Sequence, residues 1–593
     1  MSIKNTIRPK KYVQSSWDLS EIIKTPNKNV TKIIHRAEKF AKQYRNTKAS
    51  ISIDQFNKAM CDVNNIYEDT KSISSYAMLQ HSEDTQSNNA NALLSNAEKI
   101  SAGIENKTLF FELWWQKEID EKNAQRLALK SKHFEYYLTF LRRMAKYSLT
   151  ESEEKVINIL DTTGQSAMVR LYDRITNKFS YTVGNKKNMT REELTTLIRS
   201  PKATIRKAAY RQILGKYDEN IGVLGDIYQN IVMRWENIGI NMRGFATPIS
   251  IRNMTNDIDD KTVSVLLDIC CKNRGIFYDY FKLKAKYTGN KKLQRYDLYA
   301  PMAIQKNERK YEYNTAVHMV LCALYSFNPK ISKWAKSVFD ANHVDSQVRM
   351  GKRDGAFCAT VRPNILPYVL LSYTNRLSDV FTLAHEIGHA IHSIAASEKP
   401  ALVQEASLPL AETASTFSEM LLYESITKKI SDTERASLLA EKIADWYATI
   451  MRQSYFTIFE NNAHKVISNG GNSDKLSKIY QTNLKEQFGN AVSVSDDFSA
   501  EWICIPHFYH APFYCYAYSF GNLLALALYQ RYKKEDSSFD QQYIQILAGG
   551  GSKNPKTLLQ EHGVDINSKK FWQGGFDYID EQISELKRLL NVI

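Results

Sequence analysis

Apolar residues recur along most of this chain at intervals of three and four, as in "KHFEYYLTFLRRMAKYSL" and "SEEKVINILD", which is the period of one buried helix face. Long runs that alternate apolar with polar residues are scarce, so the pattern predicts a mainly α-helical protein. Turn clusters such as "TVGNKKNMT", "NGGNSD" and "AGGGSKNPKT" separate the helices. The clearest strand is "PYVLLSYT" at 367–374, an apolar β-favouring run bounded by "RPNIL" and "NRLSD". It reads either as an edge that receives an extended peptide by β-augmentation or as an internal strand. The strand leads into "DVFTLAHEIGHAIHSI", a helix with Ser378 as its expected N-cap and with apolar residues at 380, 381, 383, 384, 387, 390 and 391 to be buried. The apolar segment 511–532 is interrupted by Ser519, Gly521 and Asn522, and reads as a buried helix rather than a lipid-facing span.

Composition narrows the class. At 593 residues the chain exceeds a usual single core, so two or more lobes are expected, and 43% hydrophobic with 24% charged residues is a globular balance. Basic residues near the amino terminus lack a following apolar run, which argues against a secretory signal and for the cytoplasm. Seven scattered cysteines without paired spacing read as reduced thiols. The formal charge of +15 invites a nucleic-acid reading, but the basic residues are dispersed and no nucleic-acid-binding motif is present, so neither nucleic acid nor membrane is expected as a partner. The run "AGGGSKNP" lacks the GxxxxGK[ST] pattern and reads as a glycine-rich loop, not a phosphate cradle.

The chemistry concentrates in "LAHEIGHAIH" at 383–392. On a helix, each residue advances about 100° and about 1.5 Å, so His385 and His389 lie about 40° apart with about 6 Å of rise. Two imidazoles so placed can converge on one metal ion, and a hydrolytic zinc site wants three protein ligands plus an open position. Glu386 sits at the edge of that face, where its carboxylate can take a proton from water instead of binding metal. A third histidine in the extended zincin pattern would require Gly at 392 and His at 395, whereas this chain has His392 and Ala395. His392 lies about 10.5 Å along the axis from His385, too far to close on the same ion, and is assigned to the surroundings of the site or to substrate contact.

The remaining ligand candidates are Glu405, Glu412, Glu419 and Glu424, around a helix restarted at Pro409. Spacing alone does not choose among them. The small residues of "LAETAS" would let a second helix approach closely at Glu412, and Glu419, seven residues on and on nearly the same face, would then stand behind the ligands.

"HEIGHAIH" followed about twenty residues later by "LAETASTFSE" resembles the M3 family of zinc metallopeptidases, specifically its oligoendopeptidase F branch. The resemblance extends over nearly the whole chain, through "SSWDLSEI", "MRGFATP" at 242–248, "RYDLYAPM" at 295–302, "GKRDGAFC" at 351–358, "HFYHAPFYCYAYSFGNLL" from 507, and "FWQGGFDYI". It implies a helical zincin with a small β-sheet and two lobes enclosing a deep channel, with an N-terminal helical region at 1–200 and a catalytic domain at 201–593. It further implies one Zn²⁺ on His385, His389 and Glu412, and internal cleavage of short or unstructured oligopeptides. The family's oxyanion donors come from a downstream histidine and tyrosine segment, where this chain offers His507, Tyr509, His510, Tyr514, Tyr516 and Tyr518. His507 and Tyr516 are the preferred catalytic pair, with Tyr509, His510 and Tyr514 left for substrate. The alternatives are a zinc carboxypeptidase or dipeptidyl carboxypeptidase on a similar fold, and a non-catalytic peptide-binding protein.

Overall fold

The computed structural model describes residues 10–23, 26–302, 304, 309–534 and 539–592; residues 1–9, on which the reading of the amino terminus partly rests, lie outside them. Helices hold 71% of the described residues, as the apolar period predicts. The elements that position the site are, in chain order, α1 (Ile53–Glu83), α2 (Asn88–Leu113), α3 (Pro248–Thr255), β1 (Val344–Asp345), β2 (Phe357–Ala359), β3 (Tyr368–Leu370), α4 (Leu377–Ala395), α5 (Leu408–Thr427), α6 (Arg452–Ser468), α7 (His507–His510) and α8 (Tyr516–Lys534). No helix among the described residues is long and apolar enough to cross a membrane.

The chain forms two compact units, each assembled from three segments. The first comprises Met1–Ala145, Asn307–Lys429 and Tyr532–Val564. In it α1 and α2 start on serine caps, Ser52 accepting from the Gln55 N–H and Ser87 from the Ala90 N–H. Their apolar faces, with the turn that follows α2, form a core of Phe56, Phe111 and Trp115 that continues into Tyr368 and Leu370 of the sheet. The strand order is β1-β3-β2, with β1 parallel and β2 antiparallel to β3. The strand at 367–374 is therefore central. Its Tyr-Val-Leu run is buried on both faces, which is why it reads as continuous rather than alternating apolar sequence. The edge reading of that strand is corrected: among the described residues the edges of this sheet are β1 and β2.

The second unit comprises Lys146–Lys306, Ile430–Arg531 and Asp565–Ile593. α8 runs through its interior, with Leu523, Leu524, Leu526 and Leu528 all buried, as expected of the apolar segment 511–532. A buried Arg295–Glu501 pair at 2.6 Å, with Tyr480 donating to the second carboxylate oxygen at 3.2 Å, is the polar centre of this unit. The glycine-rich loop belongs to the first unit, where Gly551 donates to the Val403 carbonyl at 3.0 Å and a Cβ at Gly550 would stand 2.3 Å from the Gln404 oxygen. Its glycines serve close backbone packing.

Candidate active site

α4 begins at Leu377 with Arg376 as N-cap, two residues before the expected Ser378. The reason is Asp379. Its carboxylate accepts from the Thr374 and Arg376 N–H groups at 2.6 and 3.0 Å and from the Thr374 hydroxyl at 2.8 Å, and a charged acceptor holds the positive helix end better than a serine hydroxyl. The seven apolar positions predicted for burial are all buried, leaving His385 and His389 half-buried on the remaining face.

α5 reaches that face because both helices have given up side chain at the crossing. A Cβ on Gly388 would lie 2.5 Å from the Ala414 carbonyl oxygen and 2.5 Å from the Ser415 Cα. Gly388 therefore permits backbone contact against the small residues Ala414 and Ser415, and Pro409 in the first turn of α5 sets where that helix starts. Of the four candidate carboxylates, this crossing delivers Glu412 to both imidazoles. Glu405 instead pairs with Lys71 at 2.7 Å, and Glu424 with Lys428 and Lys533 at 2.9 and 2.7 Å.

His385 Nε2 lies 3.2 Å from His389 Nε2 and 3.3 Å from Glu412 Oε2, and His389 Nε2 lies 3.6 Å from the same carboxylate oxygen. Ligands bound to zinc at about 2.0–2.1 Å in a tetrahedron stand about 3.3 Å apart. The three atoms thus match one face of such a tetrahedron, and two neutral imidazoles with one carboxylate are the donor set of hydrolytic zinc. The outer nitrogens are also committed. Glu419 Oε1 accepts from His385 Nδ1 at 2.7 Å, which leaves Nε2 facing Glu412 and His389, and the Ala411 carbonyl accepts from His389. Glu419 stands behind His385, the kind of place its spacing suggested.

The cluster favours a cation electrostatically. Burial alone would lower His385, but hydrogen bonds to Glu412 and Glu419 raise it to about 10, so in the metal-free state it holds a proton between two carboxylates. Burial takes His389 down to about 4, and Glu412, despite burial, is lowered to about 2 by the His385 hydrogen bond and both imidazoles. Glu386 is 6% exposed, its Oε2 has no hydrogen-bond partner, and burial with the charges of Glu412 and Glu419 raises it to about 7. Burial, and after it the charge of Glu386, push the Cys358 thiol of β2 well up. His392 is buried, with its ring on the same Ala411 carbonyl that holds His389.

In the second unit, the structure separates the residues of 507–518. His507, Tyr514 and Tyr518 form one cluster, with Tyr514 and Tyr518 rings 5.2 Å apart and the Tyr518 hydroxyl 3.5 Å from His507 Nε2. Tyr516 is fully buried and its hydroxyl accepts from Asn256 Nδ2 at 2.8 Å. Tyr509 is also buried, stacked on Tyr172 at 3.8 Å and donating to the Leu224 carbonyl. His510 lies exposed against Asp173 at 2.8 Å. Sequence reasoning missed the pairing of Tyr518 with His507, because a left-handed turn at Phe513 (φ 58°) breaks the helical phase between α7 and α8 and leaves no periodic signal. Gly388 was equally silent in the sequence, where only the small residues opposite it hinted at a close crossing.

Comparison with known proteins gives the family. The model of peptidase family M3 matches residues 196–578, and a second, described as Oligopeptidase F, matches 117–181. A protein of Borreliella burgdorferi named oligoendopeptidase F homolog is 29% identical over 591 residues, covering 97% of this chain and 98% of its own. Another of that name from Lactococcus lactis subsp. lactis is 25% identical over 529 residues, covering 87% of each. The crystal structure of oligoendopeptidase-F from Enterococcus faecium covers 96% of this chain and 100% of its own with a TM-score of 0.72; at 19% identity it speaks for the fold alone. With a family match across most of the chain and a two-histidine, one-glutamate cluster at its heart, this chain belongs to peptidase family M3 and is a metallopeptidase.

Proposed function

We propose that the chain is a zinc endopeptidase that hydrolyses internal bonds of short or unstructured oligopeptides, with one Zn²⁺ on His385, His389 and Glu412. The observation that carries the proposal is the tetrahedral face formed by those three ligand atoms, beside a buried carboxyl at Glu386 with an unengaged oxygen. When bound, the zinc supplies a Lewis acid that acidifies water and polarises the scissile carbonyl. Glu386 takes the proton of the attacking water through its unengaged Oε2 and returns it to the departing amine. Glu419 keeps His385 in the tautomer that presents Nε2.

The outer edge of β2, which pairs with no second strand among the described residues, receives the peptide backbone as an added strand, which binds chain direction with little side-chain selectivity. His507 donates to the developing oxyanion. Tyr518, which shares the His507 cluster, suits the tyrosine role better than Tyr516, whose hydroxyl is engaged by Asn256. Tyr514 of the same cluster is retained as a substrate contact, whereas the burial of Tyr509 and His392 favours packing roles for both. The matched ranges support keeping residues 1–200 as an N-terminal helical region and 201–593 as the catalytic domain. Seven unpaired thiols fit a reducing compartment, and we place the enzyme in the cytoplasm.

The test is cleavage of an internally quenched peptide blocked at both ends, with products located by mass spectrometry. Internal cuts abolished by EDTA, restored by zinc and lost in Glu386→Gln are expected. Cleavage only of peptides with a free C-terminal carboxylate would instead make the enzyme a carboxypeptidase or dipeptidyl carboxypeptidase.

A further inference from the structure

The turn that joins α7 to α8 is held in an unusual way. Phe513 is fully buried and takes φ 58°, a left-handed conformation that a bulky side chain rarely adopts, so the surrounding structure must impose it. The peptide group between Pro512 and Phe513 is gripped at both ends. Its carbonyl accepts from Arg252 Nε at 3.0 Å, and its N–H donates to Glu460 Oε1 at 2.8 Å. Each jaw belongs to a helix that provides a second contact four residues on. α3 supplies Arg252 and, at its C-cap, Asn256, which binds the Tyr516 hydroxyl. α6 supplies Glu460 and His464, whose ring packs on Phe513 with centroids 4.7 Å apart. Glu460 is 1% exposed and its Oε2 has no hydrogen-bond partner, so this carboxyl is kept in the interior for a single backbone N–H.

We propose that Glu460 and Arg252 are positioning residues for the catalytic segment: by clamping one peptide group from opposite sides they hold the left-handed turn that sets His507, Tyr514 and Tyr518 in one cluster. The inference rests on the reading of that cluster as the source of oxyanion donors. Tyr516 then acts as an anchor of α8, through Asn256, rather than as a donor to substrate. Burial raises Glu460 to about 8, with the charge of Arg252 opposing, so at neutral pH the carboxyl is protonated and glutamine is its faithful replacement.

The experiment uses the full-length, zinc-loaded enzyme and the quenched peptide, comparing Glu460→Gln, Glu460→Ala, Arg252→Met and His507→Ala, with zinc content and Tm measured for each. Glu460→Ala and Arg252→Met should lose at least about tenfold in kcat with KM within about threefold, because a displaced oxyanion donor acts on the transition state and not on ground-state binding. Glu460→Gln, whose amide oxygen accepts the same N–H, should keep kcat within about threefold. A merely structural role would lower Tm and the active fraction without this split between kcat and KM. Wild-type kcat in zinc-loaded Glu460→Ala, or equal damage in Glu460→Gln and Glu460→Ala, overturns the clamp. If Glu460→Ala does not fold, Arg252→Met decides by the same criterion. Slow His507→Ala beside fully active clamp variants overturns the clamp alone, whereas unaffected His507→Ala overturns the donor reading and the clamp together.

Discussion

Replacing Gly388 with alanine adds one methyl group where α4 and α5 touch, and its consequence can be worked from the structure. The new Cβ would stand 2.5 Å from the Ala414 oxygen, 2.5 Å from the Ser415 Cα and 2.8 Å from the Ala414 carbonyl carbon, whereas ordinary contact begins at 3.4 Å. All three are backbone atoms, so no side chain can swing aside; the helices must part by 3.4 − 2.5 = 0.9 Å along that line. Overpacking of this kind costs about 1–3 kcal/mol. The larger effect falls on the three proposed ligands, because Glu412 rides on α5 and the histidines on α4. Edges of 3.3 and 3.6 Å would widen by up to the same 0.9 Å, to about 4.2 and 4.5 Å, beyond the ~3.3 Å that zinc bonds of about 2.0–2.1 Å allow. We expect zinc affinity to fall about 100-fold, at the upper end of losses from disturbed ligand support. Competition with a chromophoric chelator measures it, with Tm recorded in the presence and absence of zinc. Gly275→Ala is the control: no atom lies within 4 Å of its Cβ, and alanine inside a helix should stabilise by up to about 1 kcal/mol. Wild-type zinc affinity and Tm in Gly388→Ala would refute the view that this glycine sets the ligand geometry.

Three further outcomes are expected. Glu419→Ala, which frees His385 Nδ1, should weaken zinc about 10–100-fold while leaving the fold intact, and equilibrium dialysis against buffered zinc would expose the error if affinity were unchanged. Glu386→Gln should retain zinc yet lose about 10²–10⁴ in kcat, and should raise the Tm of the metal-free protein, since it removes a buried carboxyl next to Glu412 and Glu419; a variant that loses its zinc instead would mean that Glu386 is a ligand. For Glu460 the folded value is raised from 4.5 to about 8 by burial, so between those pH values the folded protein holds a proton that the unfolded chain has released. Its contribution is complete below pH 4.5 and lost as pH rises through 8, so the urea midpoint should fall with pH across that window and fall less in Glu460→Gln. Parallel pH profiles for the two proteins would count against the buried protonated carboxyl.

The sequence by itself determined what local geometry determines. A helix places residues four apart on one face whatever surrounds it, so the convergence of His385 and His389, the position of Glu386 at the edge of that face and the burial of seven apolar positions on α4 were legible from spacing. Tertiary structure decided everything that joins separate elements. Four carboxylates were eligible as a third ligand, and the one that reaches both imidazoles, Glu412, is set by two helices crossing at Gly388 against Ala414 and Ser415, a contact between residues 26 and 27 positions apart that no period encodes. The strand at 367–374 was legible as a strand, but its central place between β1 and β2 depends on partners elsewhere in the chain. In 507–518, six histidines and tyrosines look alike in sequence. A single left-handed residue, held by Arg252 and Glu460 from two distant helices, turns Tyr516 into the core and leaves Tyr514 and Tyr518 with His507. Backbone torsion at one position resets the phase of every side chain after it, and that torsion is fixed by packing rather than by the residue that adopts it.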